Sequence, residues 1–471
     1  MSKNNALQKK SSFTSSLGFV LAAAGSAVGL GNIWRFPILA AKNGGGLFLL
    51  IYIILVLTFG FALLTTDIAI GRKTGKNPLY AFDVFGKKWK FLGVLSFLVP
   101  SIILTYYSVI GGWITKFMVS YVTTSPATIA GDDYFTSFIC SDVSPIVFMF
   151  IFLALTAIVV FFGVEKGIEK FSKFVMPGLL ILIVGIVIFV LFTKHTDAAG
   201  NVVTGWQGAA YYLIPRFEEF NFGTILNILL DATNQMFYSL SVAMGIMITY
   251  GSYVSKETNL SKSVTQIQLF DTAVAILAGL MVVPAVYVFM GTKGLEKAGP
   301  SLIFVSLPKV FDKMGAVGPF VAVLFFIMVL FAALTSSVSI METIVANCMQ
   351  KFNLSRKKTS LIIFSIFLIA SMVICMGYTV LMFSVHLPNM GDGETGQLLD
   401  IMDYISNYIM MPVVCILTCI LIGWIAKPKW VIDEIEQNGV VFKKKKLYSI
   451  IVKYVAPVVM LLLLLKALGL F

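Results

Sequence analysis

The strongest constraint on this chain is an apolar run of about 20 residues that recurs along most of its length, because a helix of that length crosses the hydrocarbon of a bilayer. Eleven such runs are counted, at positions 17–41, 47–70, 91–123, 146–162, 171–192, 223–254, 263–291, 318–350, 359–378, 397–426 and 447–470 of the 471 residues. Charged residues make up only 12% of the chain and hydrophobic ones 58%, whereas an ordinary soluble domain carries about 25% charged residues. That composition excludes a soluble globule, a disordered chain and a disulfide-stapled secreted fold. The chain reads as an all-α polytopic membrane protein with 11 transmembrane helices.

The net charge of +12 raises the question of nucleic acid, and the placement of the charges answers it. The N-terminal segment and loops 71–90, 163–173, 255–262, 351–358 and 427–446 hold 24 of the 35 basic residues; the alternate loops 42–46, 124–145, 193–222, 292–317 and 379–396 hold seven. By the positive-inside rule the first set faces the cytoplasm, which puts the N-terminus inside and, with an odd span number, the C-terminus outside. A multi-pass protein of a plasma membrane, here a bacterial inner membrane, is expected. The lysine run 443–446 is a topology anchor, and no part of the basic excess calls for nucleic acid. Residues 1–16 are polar and no cleavage-site pattern follows, so the first apolar run is expected to be a retained helix. The loops 193–222 and 292–317 carry Pro215, Pro300 and Pro308 beside Trp206, Leu302 and Phe304; short helices lying on the extracellular mouth are expected there.

Catalytic chemistry finds no footing. Cys140, Cys348, Cys375, Cys415 and Cys419 show no metal-ligand spacing, and four of the five lie in or beside apolar runs, where they act as small hydrophobes. His195 and His386 fall in predicted loops. With no histidine–carboxylate cluster, nucleophile motif or cofactor loop, the chain is not expected to be an enzyme.

Two spans are too polar at their centres to be continuous helices. Span 1 places Gly25, Gly29 and Gly31 within seven positions, followed by Asn32 and Arg35. A helix-interior glycine costs about 1 kcal/mol against alanine, and an arginine in a span costs at least about 2.5 kcal/mol. Close packing through Gly25 and Gly29 explains the small residues but not Asn32 and Arg35. Span 6 repeats the pattern with Asn234, Gln235, Ser239 and Ser241 ahead of Gly245. Spans 1 and 6 each open a set of five, and an odd number per set inverts the second set relative to the first. Interrupted helices at matching places in two inverted halves point to a transporter site at the midplane. Their freed carbonyls can coordinate a cation and their freed amides can hold an anion, a combination that suits a small zwitterion beside a metal ion. In span 8, Thr335, Ser336 and Ser337 follow Ala332. They are either back-bonding hydroxyls or hard-oxygen sodium ligands, by the logic that pairs hard cations with oxygen. Asp271 in span 7 has no basic partner at similar depth in a neighbouring span, so it is expected to face a cation or carry a proton.

These residues resemble a known family. Residues 25–37 followed by Asn43-Gly-Gly-Gly46, Tyr106-Tyr107, the Gln235…Ser239-Leu-Ser241 segment, Thr249-Tyr-Gly-Ser-Tyr253, Leu334-Thr-Ser-Ser337 and Leu354-Ser-Arg356 occur in the order found in the neurotransmitter:sodium symporters, the family of the bacterial leucine transporter. The similarity runs from about residue 13 to 460, and eleven spans resemble a common bacterial branch. The resemblance implies a five-plus-five inverted repeat with helices 1 and 6 unwound: an N-terminal segment 1–16, a first repeat 17–193, an extracellular loop 194–222, a second repeat 223–426 and a cytoplasmic loop with helix 11 at 427–471. It implies a first sodium site from the Ala27 carbonyl with Asn32, Ser239 and Asp271, and a second from carbonyls of Gly25, Val28 and Ala332 with the hydroxyls of Thr335 and Ser336. The implied substrate pocket comprises Ser26, Gly29, Leu30, Gly31, Ile103, Tyr107, Tyr238, Ser241, Met244, Ser336 and Ile340. Amides around Gly29–Leu30–Gly31 and the Tyr107 hydroxyl would hold a carboxylate, with Ser241 helping to hold the amine. Arg35 and Asp403, with Gln235 nearby, would form the outer gate.

Departures from the family pattern refine the expectation. Monoamine members carry aspartate where this chain has Gly29, so the ligand should bring its own carboxylate and be an amino acid. Asp271 stands where many relatives have asparagine, and Ala275 where chloride-dependent members have serine, which implies chloride independence. The inner-gate ion pair of the leucine transporter is replaced by Lys10 and Gln350, and its aromatic neighbour by Phe13. The expected function is sodium-coupled import of an amino acid with an apolar side chain. A proton-coupled transporter of the same fold and a transport-inactive amino-acid sensor are the alternatives.

Overall fold

The computed structural model describes residues 12–196, 200–217, 221–296, 299–388, 390, 395–437 and 439–470. Among these, nine helices are long and apolar enough to cross a membrane: Gly46–Thr74, Lys87–Thr123, Ser144–Phe161, Val164–Phe192, Leu260–Met290, Gly315–Phe352, Arg356–Met376, Leu398–Ile425 and Lys445–Ala467. A tenth crossing is the pair Ser16–Ala27 and Gly31–Lys42, bent by 55°. Phe222–Ser239 and Ile246–Ser252, separated by six non-helical residues, stand where the sequence places the sixth of eleven spans. In chain order these are spans 1 to 11, and the two broken ones are spans 1 and 6, as their mid-span glycines and polar residues predict.

Each break has a local cause. Span 1 starts at Ser15, whose hydroxyl accepts from the Gly18 amide at 3.0 Å. It leaves the helix at Val28, where ψ reaches 101°, and resumes as a wide π-turn over Gly31–Arg35. In span 6, Ser241 (φ 51°), Ala243 (φ 61°) and Gly245 (φ 71°) all lie in the left-handed region. That conformation costs a non-glycine residue about 1–2 kcal/mol. Buried polar contacts offset the cost: the Asp67 carboxylate of span 2 accepts from the Ala243 amide at 3.0 Å, and the Ser241 hydroxyl donates to the Ser26 carbonyl at 3.1 Å.

The first half of span 1 packs against spans 5, 7 and 8, and the second half of span 6 against span 2. Span 2 carries its own π-turn at Val56–Gly60, closed by the Phe61 amide on the Val56 carbonyl, and the same carbonyl also accepts from the Gln268 side-chain amide of span 7 at 2.5 Å. Tyr52, just before that turn, stacks among Phe36 and Phe48. The outer loops do form short helices, Gly205–Leu213 with a Thr204/Gln207 capping box, and Leu307–Lys313. The sequence did not announce the hairpin Lys194–Thr196 with Val202–Thr204, and His195, expected in a loop, sits in its first strand. Span 5 begins earlier than its apolar run, with a π-turn over Val164–Glu169, because Glu165, Lys166 and Glu169 hide its start from a hydropathy reading.

Candidate functional site

The two interruptions face one another across a small cavity of about 30 Å³. Span 1 contributes Ser26, Ala27, Gly29, Leu30, Gly31 and Asn32, and span 6 contributes Tyr238, Ser239, Ser241, Met244 and Ile246. Ile103 and Tyr107 of span 3 and Ser336 and Ile340 of span 8 complete the wall. Every residue expected in the substrate pocket lines this one space; Ile246, the first residue after the break in span 6, was missed because it reads as ordinary helix interior.

One end of the cavity is built around a buried carboxylate. Asp271 is fully buried and accepts from the Asn32 side-chain amide at 2.8 Å and from the Ser239 hydroxyl at 2.9 and 3.0 Å. The Asn32 side-chain oxygen turns back to accept from the Gly29 amide at 3.2 Å, bridging the broken turn of span 1. All of these donors are neutral, and among the described residues Asp271 makes no ion pair. A buried charge without a counter-charge is costly, so this corner favours a cation or a proton.

A second cluster has more acceptors than protons. The Ser336 hydroxyl lies 3.4, 3.1 and 3.2 Å from the carbonyl oxygens of Gly25, Ser26 and Val28. Even with the Ser241 hydroxyl donating to the Ser26 carbonyl, two hydroxyl protons cannot satisfy three carbonyls that the break has freed from helical bonding. The Thr335 hydroxyl lies 3.0 Å from the Ala332 carbonyl. The surplus lone pairs are hard-oxygen ligands of the type that alkali and alkaline-earth cations take. All five residues named from the sequence for a second sodium site thus stand at one place.

Between the clusters, the buried Tyr107 hydroxyl makes no well-formed hydrogen bond among the described residues. A methyl group on Gly29 would sit 2.9 Å from the Ser336 hydroxyl and 3.4 Å from the Tyr107 hydroxyl, so glycine leaves this space to a ligand. Below it, Ser339 donates to Ser26 at 2.7 Å and Ser26 to Ser241 at 3.3 Å. Ser339 lay outside the sequence reading, since a lone serine on a long helix carries no distinguishing signal.

The outer gate differs from the expectation. Arg35 and Asp403 form no ion pair among the described residues. Instead the Arg35 guanidinium lies over the Tyr408 ring, 5.7 Å from its centre. The Asp403 carboxylate is taken by Asn407, one turn along the same helix, at 2.5 Å. Gln235 donates to the Gly31 carbonyl at 3.2 Å and so serves the broken backbone. Of the residues expected at the inner gate, Lys10 lies outside the described residues, and Gln350 accepts from Asn77 at 3.3 and 3.1 Å. Phe13 packs against Phe19, Tyr250 and Tyr253. Tyr253 in turn donates to Glu342 at 2.7 Å, and Arg356 grips the same fully buried carboxylate at 2.5 and 2.9 Å.

A membrane-embedded cavity flanked by two cation-attracting clusters, at the junction of two broken helices, defines an ion-coupled secondary transporter. Comparison with known proteins supplies the particular family. The chain matches the sodium:neurotransmitter symporter family over residues 10–145 and 144–470, and it belongs to that family. It is 32% identical to the sodium-dependent transporter YhdH of Bacillus subtilis over 98% of both chains, and 30% identical to a sodium-dependent transporter of Haemophilus influenzae over 98% of this chain and 99% of that one. Its fold matches the crystal structure of MhsT in complex with L-phenylalanine with a TM-score of 0.81 and 32% identity, covering 97% of this chain and 99% of that one. The protein is thus a sodium-dependent membrane transporter and not an enzyme.

Proposed function

We propose that this transporter imports an amino acid with an apolar side chain, driven by two sodium ions and independent of chloride, by alternating access with its N-terminus in the cytoplasm. The observation that carries the reading is the fully buried Asp271 carboxylate held only by neutral donors beside the cavity. A sodium ion between Asp271, Asn32, Ser239, the Ala27 carbonyl and the substrate carboxylate meets both electrostatic demands at once. Asp271 also supplies the negative charge for which another design needs a bound anion. The second sodium belongs at Gly25, Val28, Ala332, Thr335 and Ser336. The Tyr107 hydroxyl and the amides at Gly29, Leu30 and Gly31 receive the substrate carboxylate, and Ser241 helps to hold the amine. Ile103, Tyr238, Met244, Ile246 and Ile340 offer an apolar wall to the side chain, and the phenylalanine complex of MhsT supports an apolar amino acid here too.

Each sodium ion moving down a tenfold gradient contributes about 1.4 kcal/mol, and crossing about 100 mV adds about 2.3 kcal/mol per charge. Two ions give roughly 7 kcal/mol, enough for about a 10⁵-fold accumulation of a neutral amino acid. Coupling requires sodium and substrate each to raise the other's affinity, and a shared contact at Asn32 does so directly. The test is a binding scan across the twenty amino acids on purified protein, with and without sodium, repeated with gluconate in place of chloride. Apolar amino acids should bind only with sodium, and Asn32→Ala should weaken both partners. Uptake that collapses in gluconate, or that persists in sodium-free buffer at acid pH, would overturn the chloride or the sodium part of the reading.

A further inference from the structure

Alternating access needs a barrier on the cytoplasmic side, and Gln350, which stands where relatives have one member of an ion pair, is uncharged and accepts from Asn77. We propose that Glu169 is the positioning residue that holds the foot of span 1 against span 5 and keeps the cytoplasmic route to the cavity shut. Glu169 closes the π-turn Val164–Glu169 and is 1% exposed. One carboxylate oxygen accepts from the Thr14 amide at 2.8 Å. The other accepts from the Thr14 hydroxyl at 2.5 Å, the Ser15 hydroxyl at 3.2 Å and the Lys173 ammonium at 2.7 Å. Room for it is made by Gly18, where a methyl group would lie 2.0 Å from the carboxylate.

An ordinary helix cap would come from the same segment. This one comes from a different span, 155 residues along the chain, so its bonds report the distance between two moving parts. The half-helix it anchors, Ser16–Ala27, ends beside the second cation cluster, and there span 5 meets it again: a methyl on Gly25 would lie 3.1 Å from the Met176 sulfur. Span 5 therefore touches this half-helix at its foot through Glu169 and near its top through Met176. For the cavity to open inward the half-helix must part from span 5. Bonds to an ionised carboxylate are stronger than neutral ones, which makes Glu169 the contact whose loss most favours that parting. The inference rests on the symport reading only for the consequence to transport; the latch itself is a statement about spans 1 and 5.

The test is amide hydrogen exchange on the full-length purified protein, without sodium or amino acid, comparing the native chain with Glu169→Gln, Gly18→Ala and the double variant Gly18→Ala/Glu169→Gln. In Glu169→Gln, amides in residues 12–20 should exchange about tenfold faster or more, while spans 3, 4 and 8 keep their protection. Gly18→Ala should act in the same direction, and the double variant should add little to either single change, because both break one latch. Should Glu169→Gln fail to fold, Thr14→Val keeps the shape, removes one donor, and should raise exchange there about threefold. Unchanged exchange at residues 12–20, a rise shared equally by all spans, or full additivity in the double variant would each overturn the latch. The symport reading stands or falls separately, on the binding scan.

Discussion

The two ends of the route to the cavity are built with different materials. At the outer end the polar contacts are a guanidinium over a ring, Arg35 on Tyr408, and a bond within one helix, Asn407 to Asp403. At the inner end carboxylates reach from one span to another: Glu169 of span 5 to Thr14 and Ser15, and Glu342 of span 8 to Arg356 of span 9 and Tyr253 beyond span 6. A cation over a ring at a partly exposed site is worth about 0.5–1 kcal/mol. Breaking one side of a buried ion pair costs about 3–5 kcal/mol. The polar contacts at the Arg35 end are therefore the weaker set.

The largest effect should come from Arg356→Ala, which leaves the fully buried Glu342 carboxylate without its counter-charge. A loss of about 3–5 kcal/mol of stability is expected, measured as a fall in the thermal-unfolding midpoint. Arg35→Ala at the outer end should cost about 1 kcal/mol or less, so an equal fall in the two variants would break the comparison. Between the ends, Tyr107→Phe should weaken amino-acid binding about tenfold in titration calorimetry with the unfolding midpoint little moved, because among the described residues the hydroxyl it removes makes no well-formed hydrogen bond. A smaller effect is expected from Tyr408→Leu, which removes the ring beneath Arg35: release of bound amino acid to the outer medium should quicken by a few-fold. Ala243→Gly should matter least. Relief of its left-handed backbone, about 1–2 kcal/mol, is offset by roughly 0.4–1 kcal/mol of unfolded-chain entropy, so stability should rise by no more than about 1.6 kcal/mol.

Much of this architecture can be read before any coordinates. Twenty-residue apolar runs fix the crossings, and the misplaced Asn32, Arg35, Gln235 and Ser239 mark which two are broken. The glycines and polar residues in the cavity wall were legible for the same reason, having no place in lipid, whereas Ile103, Tyr107, Tyr238, Met244 and Ile340 were expected only from the family resemblance. What escaped the reading shares a different property. Ile246 and Ser339 look like any helix residue, and Glu169 lies at the polar start of a span, where a carboxylate excites no suspicion until its partner 155 residues away is seen. Arg35 and Asp403 form no direct ion pair among the described residues, and one oxygen of the Asp403 carboxylate instead accepts from Asn407, four positions along the same helix.

The π-turn at Val56–Gly60 makes span 2 a keyed shaft. Its one surplus residue swings everything beyond it by about 100°, so that Tyr52 can meet Phe36 and Phe48 on one side of the turn while Asp67 meets the Ala243 amide on the other. Delete a residue there and the two halves can no longer both be aimed. Leu57 lies within the turn with 45% of its surface exposed and should accept almost any apolar replacement. Its identity is free, but its presence in the count is not.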